Sequence, residues 1–122
     1  MAMTYSTAVK TARMNAIVTQ AGANAKLELG TTGMAAVLAT ITFGSVLGTV
    51  SGDTLTLSGL PLSDTAADAT GTAVEARIRT SGNVDVITGL TVSETSGNIV
   101  IDNANIKAGQ IVQLSSGTIQ HG

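Results

Sequence analysis

Around Glu28 the chain alternates, with Leu27 and Leu29 on one side and Lys26 and Glu28 on the other. A period of two marks a strand with one buried face. The alternation returns over residues 35–43, where Ala35, Val37, Ala39, Ile41 and Phe43 face away from Ala36, Leu38, Thr40 and Thr42. Both sides are apolar enough to predict a central strand. The stretch "GTVSGDTLTLSGL" predicts a hairpin turning at Ser51, Gly52 and Asp53, with Leu55 and Leu57 inward. A polar run, "PLSDTAADATG", follows with the chain's only proline, Pro61, and reads as the longest loop.

A second hairpin is predicted over residues 72–90. Val74, Ala76 and Ile78 point inward, Glu75, Arg77 and Arg79 outward, and Ser81, Gly82 and Asn83 make the turn. Val84 and Val86 then resume the inward set. Short strands near residues 99–102, 111–115 and 117–120 complete the pattern.

Only residues 6–21 carry a helical period. Ser6 can cap the start, and Gly22 stands where a left-handed residue is wanted at the end. Ala8, Val9, Ala12 and Ala16 gather on one side; Met14, Ile17, Val18 and Ala21 gather opposite. Two apolar sides predict a helix covered from both directions, by its own sheet and by a neighbour. The fold class expected is mainly β, a small β-sandwich or jelly-roll-like domain of roughly seven or eight strands with one N-terminal α-helix. One domain spans residues 1–122, with the helix at about 6–21 and the sandwich at about 25–120.

Composition narrows the chemistry. The chain has no Trp, one Phe, one Tyr and four Met, so aliphatic residues and alanine must fill the core. Charged residues are only 11%, against about 25–35% on a freely soluble surface. Small polar residues dominate instead, which suits a surface partly covered by other chains. The net charge is −2, without a basic patch or interleaved aromatics, which argues against nucleic acid. No apolar run reaches the roughly 18 residues of a membrane span, and the first residues lack the apolar block of a secretory signal.

No catalytic arrangement stands out. His121 is the single histidine, and no base or nucleophile is placed beside it by spacing. Asp64 and Asp68 lie in the polar loop without calcium-loop spacing and read as solvated acids. The glycine-bearing turns match no phosphate-binding pattern. No cysteine is available for a disulfide or thiolate site. Neither an enzyme, a cofactor nor a bound metal is therefore expected. The charged row Glu75, Arg77 and Arg79 is a solvated strand face or a set of ion-pair partners for another protein.

Taken in order, the segments resemble a known family. "YSTAVKTAR" runs into the helix, "KLEL" and "LATITF" supply strands, and "ATGTA" precedes the charged strand. "SGN" makes the next turn, and the spaced apolar residues of 99–112 and the Thr118–Ile119 pair close the succession. This order is similar to that of the capsid decoration, or cement, proteins of tailed bacteriophages. The resemblance implies a non-enzymatic virion protein, made in the host cytoplasm, on the outer surface of an icosahedral head. It implies the major capsid protein as partner, and a homo-oligomer, dimer or trimer. Relatives often carry an aromatic in the strand after "ATGTA"; here Val74, Glu75, Ala76 and Arg77 stand instead. Candidate interface residues are Met14, Ile17 and Val18 on the helix, and Glu75, Arg77 and Arg79 on the strand. Competing expectations are another virion part (tail tube, tail fibre or head fibre) or a carbohydrate-binding β-sandwich, for which Tyr5 alone is available to stack on a sugar.

Overall fold

The computed structural model describes residues 5–59, 62–95 and 98–120; Pro61 and His121 lie outside them. It is mainly β, with a single N-terminal helix and a curled mixed sheet, a sandwich-like arrangement.

Helix α1 spans Thr7–Ala21. The Ser6 side chain accepts a hydrogen bond from the Val9 amide, and Gly22 stops the helix at φ 68°, its amide bonded to the Val18 carbonyl. Both ends thus follow the capping chemistry in the sequence. Two apolar sides were expected to be covered, but within this chain only one is. Met14 and Ala21 are buried, with Ile17 and Val18 packed partly against the same core. Ala8, Val9, Ala12 and Ala16 are exposed.

The strands run β1 (Lys26–Gly30), β2 (Val37–Thr42), β3 (Gly48–Ser51), β4 (Thr54–Leu57), β5 (Leu62–Asp64), β6 (Gly71–Thr72), β7 (Glu75–Arg79), β8 (Asp85–Ser93), β9 (Ile99–Ile101), β10 (Asn105–Ile106) and β11 (Val112–Gln120). Nine of them form one sheet in the order β2-β1-β7-β8-β9-β11-β4-β3, with β5 branching from β11. β6 and β10 make a small separate ladder. All pairs are antiparallel except β8 with β9.

β11 explains the branching. Its first third pairs with β5, its middle with β9 and its last third with β4. The register slips between Leu114 and Ser116, where the sequence pattern suggested two strands instead of one bent strand. A Cβ on nearby Gly117 would land on the Leu57 side chain, so the close packing of Leu57 against β11 relies on a glycine there.

β2 was expected in the centre of the sheet, yet it ends the ladder. Its two apolar faces have another cause: the segment after β5 wraps its edge. Asp64 Oδ2 accepts from the Thr40 amide at 2.9 Å, and Oδ1 accepts from the Ala66 amide at 3.0 Å. The Asp68 and Ala69 amides donate to the Leu38 carbonyl. β5 is also zipped to β11, so this contact closes β2 back toward the far side of the sheet. The predicted polar loop is thereby a strand and a clamp, and Asp64 is a half-buried acceptor rather than a solvated acid.

The second hairpin corrects a further expectation. Ala76 and Ile78 are buried as predicted, but Val74 and Val84 are 41% and 63% exposed. Two register shifts between β7 and β8 set Ile87 opposite Ile78, and Val86 and Ile87 both pack partly against the core, as expected for Val86, while Val84 does not. The hairpin of β3 and β4 matches its sequence reading, with Leu55 and Leu57 buried. Its turn is tied to the end of β11 by Gln120 Nε2 donating to Asp53 at 3.3 Å, a bond that holds the Asp53 carboxyl below its ordinary pKa.

The core contains Phe43, Met14 and a set of Leu, Ile and Ala side chains, with no buried polar side chain among the described residues. Removing the acceptor at Asp64 leaves a part-buried amide on β2 unpaired. Asp64→Ala is expected to lower unfolding stability by about 2 kcal/mol, whereas Asp68→Ala, which keeps the backbone bond, changes it by under about 0.5 kcal/mol. Urea unfolding of the two variants beside the parent chain checks this.

Candidate functional site

On β1 and β7 the outward positions are charged, and the antiparallel register aligns them. Lys26 stands opposite Arg79 and Glu28 opposite Arg77. Glu28 Oε1 lies 2.5 Å from Arg77 Nε and 3.6 Å from Arg79 Nη1. Arg79 Nε also lies 2.8 Å from Asp85 Oδ1, close enough for an ion pair though not aligned as a hydrogen bond. Lys26 Nζ donates to Asn83 Oδ1 in the turn at 3.1 Å. The Glu28 side chain is only 12% exposed and Arg77 22%, so this network is partly withdrawn from water.

Both arginines singled out in the sequence are therefore engaged inside the chain, with Glu28 shared between them. Neither is a free charge awaiting a partner. Sequence reading missed Glu28 and Asp85 as their acceptors. The signal for Glu28 was the alternation that placed it outward on β1, but only the strand register shows that β7 is its neighbour. Glu75 occupies the same row, half-buried at the β7 start and opposite Gly30 and Thr91.

The helix candidates are corrected more sharply. Met14 is 2% exposed, and Ile17 and Val18 lean on the core. The face proposed for a neighbour is the one turned inward, because the bulkier apolar side holds the core while the alanine side faces out. Ile17 lines an open groove of about 240 Å³ between α1 and the turn joining β7 to β8. Ala16 and Gln20 form the other helix contribution, facing Thr80, Val84, Asp85 and Val86. Its only ionisable group, Asp85, is already paired with Arg79. The Thr80 hydroxyl is likewise engaged, accepting from the Val84 amide at 3.2 Å. The groove has the character of a contact surface with apolar walls, and no nucleophile–base pair lines it.

Elsewhere, the Arg13 guanidinium lies 4.5 Å over one face of the Tyr5 ring. No group of three or more metal-ligating side chains occurs among the described residues. No helix among them is long and apolar enough to cross a membrane. No protein-family model, curated protein or solved structure matches the chain.

Breaking the shared carboxylate leaves two guanidinium groups close together and half-buried. Glu28→Gln is expected to cost about 1–3 kcal/mol of stability, against under about 1 kcal/mol for Asp85→Asn, whose carboxylate is 49% exposed. Thermal and urea unfolding of the two variants should rank them in that order, and the reverse order would remove Glu28 as the hub.

Proposed function

We propose that this chain is a virion structural protein that decorates the outside of an icosahedral phage head and cements neighbouring major capsid subunits. The observation that carries the reading is the ordered succession from "YSTAVKTAR" to the Thr118–Ile119 pair, spread along nearly the whole chain. Several of these segments build the core: Leu27 and Leu29, then Leu38, Ala39, Ile41 and Phe43, then Ile99, Ile101 and Val112 are buried. The likeness is thus one of scaffold, and the contacts must come from what the scaffold leaves outside.

The outside suits that role. It carries few charges, those of the Glu28 network neutralise one another, and small hydroxyl and amide side chains fill much of the remainder. Short side chains lose little conformational entropy on being covered, which favours contacts repeated many times over a lattice. A protein that binds only the assembled shell stabilises it by mass action, and attachment at several points multiplies modest affinities. In this reading the protein works without catalysis or cofactor, as a dimer or trimer on the virion surface. The alanine face of α1 replaces the Met14 face as the helix surface open to a shell subunit.

The test is co-sedimentation of the purified protein with heads that lack it, beside free major capsid subunits. Saturable binding to assembled heads, with none to free subunits, is the expected result. Absence of binding to heads would overturn the decoration reading and direct attention to tail assemblies.

A further inference from the structure

The sheet treats two of its open edges differently. The β2 edge is covered by Asp64, Asp68 and Ala69. β8 pairs with β7 along its length, but on its other side only Val92 and Ser93 have ladder partners, in β9. Residues 85–90 have no ladder partner on that side among the described residues, and Thr88 and Gly89 are exposed there. An uncovered row of backbone donors and acceptors is a template for another strand.

We infer that this edge of β8 is the self-association surface of the protein, pairing antiparallel with β8 of a second copy about a two-fold axis. Charge favours that occupant. Asp85 is the one charged residue in the segment and sits at its start, so antiparallel pairing puts the two carboxylates at opposite ends of the joint strand. Lysine and proline, which commonly guard edges, are absent from residues 84–91. The helix side of the groove at the start of this edge adds Ala16 and Gln20, neither of them charged. Val84, 63% exposed, and Val86 supply apolar area for the incoming chain to cover. The bulges in β8 twist it, so the joint ladder is a short one centred near Ile87 and Thr88.

The inference gives a surface to the oligomer assumed in the proposed function, and its test does not involve the shell. Because the chain has no cysteine, a single introduced one reports unambiguously. Sedimentation over a concentration series should show a species of twice the 12.1 kDa protomer mass. Thr88→Lys, at an exposed position, should weaken that dimer about tenfold or more by setting like charges across the dyad, with the circular dichroism of the parent retained. Thr88→Cys should form a disulfide-linked dimer under mild oxidation, and Ser51→Cys on β3 should not. A protein that stays monomeric, forms a trimer, or cross-links more readily as the Ser51→Cys variant than as the Thr88→Cys variant would overturn the inference. Head binding by such a protein would leave the decoration reading standing.

Discussion

One carboxylate holds the sheet in its curled form. β2 ends the ladder, and a strand in that position would ordinarily present unpaired amides to water. Asp64 accepts from the Thr40 amide of β2 with one oxygen and from the Ala66 amide of its own turn with the other. Because β5 is simultaneously paired to the start of β11, the side chain joins two distant parts of the sheet. Burial of Leu38 follows from this closure: β6 lies close enough that a Cβ on Gly71 would sit 3.0 Å from Leu38 Cδ2. The aliphatic core, poor in aromatic volume, thus depends on a polar contact to be sealed on both faces of β2.

The second organising element is β11, which changes partner twice along its length. Its slip near Ser116 and the small residue at Gly117 allow the sheet to divide, one branch turning back through β5 and the other continuing through β4 and β3. α1 then packs on that second branch, burying Met14 and Ala21, and the Thr11 hydroxyl donates to the Gly52 carbonyl at the hairpin turn. What remains outside is an alanine-rich helix face, an internally neutralised ionic row and the open side of β8. A surface of this kind, sparing in charge and in large side chains, fits the proposed decoration role.

Much of this was legible where a local rule decides the outcome. The helix ends at Ser6 and Gly22, the hairpin at Gly52 and the burial of Leu27, Leu29, Leu55 and Leu57 all follow from capping, turn chemistry and alternation. The errors share one cause: they required knowing what lies across space. Two apolar faces on residues 37–42 fit a central strand as well as an edge strand wrapped by a loop. Asp64 reads as a loop acid until β2 is placed beside it. The bulges between β7 and β8 set Ile87 rather than Val86 opposite Ile78, and no periodicity announces them. The helix posed a choice between two apolar sides, and volume settled it, since Met14 fills core space that alanine cannot.

Native-state hydrogen exchange at the Thr40, Asp68 and Ala69 amides tests most directly whether the sheet is closed along β2. The account predicts that these amides exchange as slowly as those of the β1–β7 ladder, opening only when the whole sheet opens. Rapid exchange at these three positions, with the β1–β7 amides still protected, would contradict it and leave β2 an open edge.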